Sequence, residues 1–277
     1  MMTLAPAGFL SIGDSELEYR MIGPTPDAAP TLVLLHEGLG SAKLWGDFPD
    51  RLAAATGCGV FAYSRAGYGA STPVSLPRPL DYMHVEALEV LPRVLEAIGF
   101  RRGLLVGHSD GASIAAIYAG GVQDHRIFGV AMMAPHFVVE DMGLAAIART
   151  TADYAANLRA KLARWHRDVD NTFLGWSNAW LDPAFRAWDI SDRLAYIRVP
   201  IAILQGADDQ YGTLRQIEIA QDECYCPVEV TIIPGIGHSP HREAAEVTLG
   251  TIAEFAKRIL TEEAATAGNS VAPLTGS

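Results

Sequence analysis

Ser109 is the centre of Gly107-His108-Ser109-Asp110-Gly111, a Gly-x-Ser-x-Gly turn. The apolar run Gly103-Leu104-Leu105-Val106 precedes it, and the small-residue run Ala112-Ser113-Ile114-Ala115-Ala116-Ile117-Tyr118-Ala119 follows. The first run suits a buried parallel strand and the second a helix packed closely on a sheet. A strand that reverses sharply into a helix strains its central residue, and glycine fits the crowded flanks. Such a turn holds a serine hydroxyl above the strand ends, at the positive end of the helix. A serine hydroxyl is a weak nucleophile until a base takes its proton, so a histidine and an orienting carboxylate are sought downstream.

Two later loops offer them. Gln205-Gly206-Ala207-Asp208-Asp209-Gln210-Tyr211-Gly212 carries two carboxylates, and Pro234-Gly235-Ile236-Gly237-His238-Ser239-Pro240-His241 carries the imidazoles. The reading assigns Ser109 as nucleophile, His238 as base and Asp209 as orienting acid, with Asp208 a competitor that spacing alone does not separate. A tetrahedral intermediate also needs donors for its oxyanion. The backbone N–H of Asp110 supplies one, and the loop His36-Glu37-Gly38-Leu39-Gly40-Ser41 the other, with Gly38 favoured over Leu39.

The elements that must position these groups alternate along the chain. A hairpin over Phe9 to Ile22 turns at Gly13-Asp14. Strands are read at Thr31 to Leu35, Gly59 to Tyr63, Gly103 to Val106, Ile127 to Ala134, Pro200 to Leu204 and Val228 to Ile233. Helices are read at Leu44 to Thr56, from Asp81 through Ala97, after Ser109, and at Ala244 to Leu260. This is the pattern of a mainly parallel, doubly wound α/β sheet. It breaks at Pro135. Residues 136–196 read as helical and aromatic, with Tyr154, Trp165, Phe173, Trp176, Trp180, Phe185 and Trp188. We expect a helical cap inserted into a core formed by residues 1–135 and 197–262, with Trp176 and Trp180 against the substrate. Residues 263–277 read as a flexible tail.

Composition narrows the function. With 277 residues, 49% of them hydrophobic, and a mean hydropathy of +0.15, the chain can bury a sizeable core. A formal net charge of −11 argues against nucleic acid or an anionic membrane as partner. Cys58, Cys224 and Cys226 are odd in number and follow no framework spacing, which suggests free thiols in a reducing compartment. Met1 to Leu10 lacks the basic and apolar regions of a signal peptide, and no apolar run is long enough for a bilayer span. The expectation is a cytoplasmic protein, monomer or homodimer, acting on a small-molecule substrate. Arg65-Ala66-Gly67-Tyr68-Gly69 lacks the spacing of a dinucleotide fingerprint, and no third ligand converges with His238 and His241. No cofactor and no metal are expected. His36 and His108 read as loop-holding residues and His241 as a cap of the final helix.

Taken together, Gly107 to Gly111, Gly206-Ala207-Asp208-Asp209 and Gly237-His238-Ser239-Pro240 resemble the α/β-hydrolase superfamily over nearly the whole chain. The resemblance implies a cofactor-free serine hydrolase, and its usual acid spacing favours Asp209. Serine at the turn argues against haloalkane and epoxide chemistry, which use aspartate there. It leaves cleavage of an ester, lactone or related acyl bond, hydrolysis of a carbon–carbon bond in a ring-cleavage product, or a receptor without turnover. The resemblance also exposes a departure: Glu37 stands where the oxyanion loop usually has glycine after histidine. Glu37 and Asp110 together could prefer a cationic substrate, as in amino-ester hydrolases of the family. The other reading turns Asp110 into the body to bond neighbouring loops.

Overall fold

The computed structural model describes residues 4–269. An antiparallel hairpin, β1 (Ala7–Ile12) and β2 (Ser15–Ile22), opens the chain, with Gly13 at φ 61° in its turn. It is followed by β3 (Thr31–Leu35), α1 (Phe48–Thr56) and β4 (Gly59–Tyr63). Helix α1 starts later than the apolar pattern suggests because Pro49 suits its first turn, and Gly57 at φ 73° closes it. Next, α2 (Tyr82–Val85) runs through a π-helical turn, Glu86–Val90, into α3 (Leu91–Ala97). Asp81 precedes α2, but its side chain makes no capping hydrogen bond. Strand β5 (Gly103–His108) then turns at Ser109 into α4 (Asp110–Gly121), and β6 (Ile127–Met133) follows.

Between β6 and β7 the chain is helical, as α5 (Asp141–Asp153), α6 (Arg159–Leu162), α7 (Val169–Leu181) and α8 (Ser191–Leu194). The last part holds β7 (Ile201–Gly206), α9 (Arg215–Glu223), β8 (Val228–Ile233), α10 (Pro240–Glu243) and α11 (Ala245–Asn269). Helix α11 is thus longer than the pattern ending at Leu260, and the start of the expected tail is helical through Asn269. Residues 270–277 lie outside the described residues.

The strand order is β1-β2-β4-β3-β5-β6-β7-β8, antiparallel up to the β2–β4 pair and parallel beyond it. Every residue of β3, β4, β5 and β7 is buried, as expected of strands with both faces covered. One core, with Leu91, Val94, Ile114, Ile117 and Leu194, packs α3, α4 and α8 on one face. The other, with Phe48, Leu52, Ile252, Phe255 and Ile259, packs α1 and α11 on the opposite face. This sandwich leaves the carboxyl ends of β3, β5, β6, β7 and β8 along one edge, where open α/β sheets gather their ligand-binding loops.

Candidate active site

Ser109 occupies the turn between β5 and α4 at φ 52°, ψ −120°, a conformation that non-glycine residues adopt only under constraint. The constraint is visible at its flanks. A Cβ on Gly111 would lie 2.0 Å from the Leu35 carbonyl oxygen, and one on Gly107 would lie 2.4 Å from the Gly111 carbonyl oxygen. The two glycines let helix and strand close on one another, and Ser109 takes the strain. Ser109 lines a cavity of roughly 160 Å³ whose walls also include Glu37, Gly38, Leu39, Asp110, Trp176, Trp180 and His238.

His238 stands after β8 and Asp209 after β7. Both carboxylate oxygens of Asp209 lie within hydrogen-bond distance of His238 Nδ1, at 2.9 and 2.8 Å. Asp209 also accepts from the Tyr211 N–H (2.8 Å) and from Gln205 Nε2 (2.8 Å). Burial alone would raise this carboxyl, but the bonds from His238 and the Tyr211 N–H hold it below the usual carboxylate range. Asp208, by contrast, is exposed. The geometry therefore separates two carboxylates that spacing does not.

Gly38 and Asp110 meet at the same cavity as Ser109. The Asp110 N–H heads α4, so it is among the donors for which a helix has no internal acceptor. The Gly38 loop is held from behind by Arg65, fully buried, which donates to the His36 carbonyl and to the Glu37 carbonyl at 3.1 Å. His36 completes the brace, accepting from the Arg65 N–H at 3.1 Å. From the front, Trp176 lies on Gly38, where a Cβ would stand 2.2 Å from its indole nitrogen.

Asp110 is committed elsewhere. Its carboxylate accepts from Tyr82 Oη at 2.6 Å and Trp180 Nε1 at 3.3 Å, and Arg65 lies 4.0 Å away. Burial outweighs these partners and raises its pKa. The structure thus turns Asp110 to its neighbours, and Trp180 reaches the cavity as part of that network. His108 Nε2 meets the His238 carbonyl at 2.7 Å, a loop-holding role like that of His36. His241 does not cap α11. It is buried against Trp45, Phe48 and His108.

His136, Glu140, Gly143, Ile147 and Tyr211 also line the cavity, and the sequence reading did not single them out. His136 stands three residues after the end of β6, at the same edge as the other site loops, so its position was the available signal. The Tyr211 and His136 rings lie 4.8 and 5.6 Å from that of His238 and flank the imidazole. Burial first, then the neighbouring His238, push His136 down to about 3. Among the described residues, no group of three or more His, Cys, Asp or Glu side chains could hold a metal ion.

A strained serine in a strand–turn–helix, with a carboxylate-bonded histidine on the loop after the last strand, defines a class. The chain belongs to the alpha/beta hydrolase family, whose model matches residues 32–249. Within it, the chain is 31% identical over 110 residues to a proline iminopeptidase of Lactobacillus delbrueckii subsp. lactis, 40% of this chain and only 37% of that one. Its fold is similar to that of the enol-lactonase from Burkholderia xenovorans LB400, with TM-score 0.70, 19% identity, and 90% and 99% of the two chains covered. It is similar also to naproxen esterase from Bacillus subtilis, with TM-score 0.68, 18% identity and 90% of each chain covered.

Proposed function

We propose that this protein is a serine hydrolase that cleaves a small carboxylic ester or lactone through an acyl-enzyme. The observation that carries the reading is the Asp209–His238 pair, with His238 lining the same cavity as the strained Ser109. In this reading His238 Nε2 takes the Ser109 proton as the hydroxyl oxygen attacks the carbonyl carbon. The oxyanion that forms is held by the Gly38 and Asp110 N–H groups. The protonated imidazole then gives its proton to the leaving alkoxide. Water, activated by the same nitrogen, releases the acid and restores Ser109. Asp209 fixes the ring with Nδ1–H towards itself and stabilises the imidazolium.

Residues 136–196 act as the cap. Trp176 and Trp180 from α7 and Ile147 from α5 give the cavity its apolar walls, so they would set the size of the acyl group. A dry cavity of about 150 Å³ takes a benzene-sized molecule, and short acyl groups are therefore preferred to long chains. Three free thiols, and no helix among the described residues long and apolar enough to cross a membrane, suit work in the reducing cytoplasm.

The test is a fluorophosphonate probe followed by peptide mapping, beside a panel of p-nitrophenyl esters from acetate to laurate. The label is expected on Ser109, with kcat/KM highest for acetate to butyrate and at least about ten-fold lower for laurate, the order of one to two methylenes that no longer fit. Labelling at another residue, or ester turnover that survives in Ser109→Ala, overturns the assignment.

A further inference from the structure

Glu37 puts a carboxylate into the loop that is to hold an oxyanion, where its charge would repel the one that develops. Its side chain resolves the conflict by folding back. Oε2 lies where a Cβ on Gly40 would be only 2.2 Å away, so the glycine at 40 makes the room. From there the carboxylate faces the His108 imidazole and the Arg242 guanidinium, with His241 beyond His108. Oε2 is 3.6 Å from His108 Nδ1, and Oε1 is 3.7 Å from the Arg242 guanidinium. His241 stacks edge-on against His108, with ring centroids 4.9 Å apart.

These groups belong to the parts that must act together. His108 precedes the nucleophile, and its Nε2 meets the carbonyl of His238. Its other nitrogen, Nδ1, is buried without a hydrogen-bond partner, 3.6 Å from the Glu37 carboxylate. Arg242 follows His238 on α10 and also donates to the Leu44 carbonyl at 2.9 Å, on the stretch that continues the Gly38 loop. Burial would raise the Glu37 carboxyl, but His108 first and then Arg242 outweigh it and hold the group well below the usual range. It is therefore an anion throughout the neutral pH range.

We propose that Glu37 is a positioning residue, whose carboxylate draws His108 and Arg242 together, seats the His238 backbone against the Gly38 loop, and so sets the reach of the imidazole to Ser109. The proposal rests on the serine-hydrolase reading above. It gives the departure at this position a mechanical purpose, although Glu37 also lines the cavity.

The variants that test it are Glu37→Gln, Arg242→Gln, Arg242→Lys and the Glu37→Gln/Arg242→Gln double. Each is assayed for kcat and KM on p-nitrophenyl butyrate, for the rate of fluorophosphonate labelling, and for Tm. Arg242 is partly exposed, so its variants are expected to fold. Loss of either partner is expected to lower kcat and labelling together by about 10- to 100-fold, the scale of a misplaced catalytic group. KM stays within about two-fold, the double variant is no worse than the worse single one, and Arg242→Lys recovers most of the rate. Unchanged kcat and labelling would overturn the proposal, as would a loss that merely follows the unfolded fraction. An effect confined to KM would also overturn it, placing Glu37 on the substrate instead. Turnover that persists in Ser109→Ala strikes the hydrolase reading itself, whatever the Glu37 variants do.

Discussion

Asp209→Asn is expected to lower kcat roughly ten-thousand-fold while leaving KM within a few-fold. The reason is the set of donors around this carboxylate. Tyr211 N–H, Gln205 Nε2 and His238 Nδ1 all point at it, so both oxygens serve as acceptors. An asparagine must turn its NH2 towards at least one of these donors. The relief is for His238 to place its proton on Nε2 and leave Nδ1 as acceptor. That blocks the nitrogen which is to receive the Ser109 proton. Asp209 does not line the cavity, so substrate binding is spared. Asp208→Asn, on an exposed side chain, stays within about three-fold of wild type, as surface changes usually do. Steady-state kinetics of both variants decide the matter, and a loss below ten-fold in Asp209→Asn removes Asp209 from the role.

The second large effect is on stability. Burial drives His136 down to about 3, and burial with the neighbouring His108 drives His241 down to about 2. His36 and His166 are also lowered, by burial first. A histidine with a depressed folded-state pKa takes up its proton in the unfolded chain at about 6.5 and in the folded chain only far below. Its contribution is therefore complete above pH 6.5 and is lost as pH falls towards the folded value. Between pH 6.5 and 5 that is about 2 kcal/mol per histidine. His136 and His241 alone give about 4 kcal/mol, a large share of the 5–15 kcal/mol typical of a domain. Asp110 and Glu86, raised by burial, act in the opposite sense, because the folded state protonates them first. The histidines outnumber them, so urea midpoints are expected to fall steeply from pH 6.5 to 5. His241→Asn should flatten that slope by about one proton. A stability constant over this range would rule the account out.

The parts of the site that local pattern reports were legible in the sequence. Gly107 to Gly111 carries its meaning in its flanks, since a buried strand and a small-residue helix allow one kind of turn between them. Asp209 and His238 each follow an apolar strand, and strand ends are where the sheet gathers its loops. What local pattern does not report is the partner a polar side chain finds across the fold. Asp110 reads as well for a substrate contact as for a structural one until Tyr82, Trp180 and Arg65 are seen around it. Arg65 reads as a loop residue, yet its burial and its two carbonyl partners make it the brace behind Gly38. His136 and Tyr211 were missed because no motif marks them; they matter through their nearness to His238. The end of α11 was missed because alanine, threonine and glutamate in residues 261–269 carry no apolar face to announce a helix, although alanine and glutamate sustain one well.

The helical segment enters after β6 and returns at β7, and these two strands pair directly, from Val130 opposite Ile201 to Met133 opposite Leu204. The register of the sheet is thus closed beneath the insertion. Ser109, Asp209 and His238 all depend on strands outside residues 136–196. Exchange of α5 to α7 would therefore reshape the cavity over an unchanged sheet, provided that Trp176 is kept against Gly38 and Trp180 against Asp110. The strands that carry Ser109, Asp209 and His238 and the helices that wall the cavity above them thus occupy separate stretches of the chain.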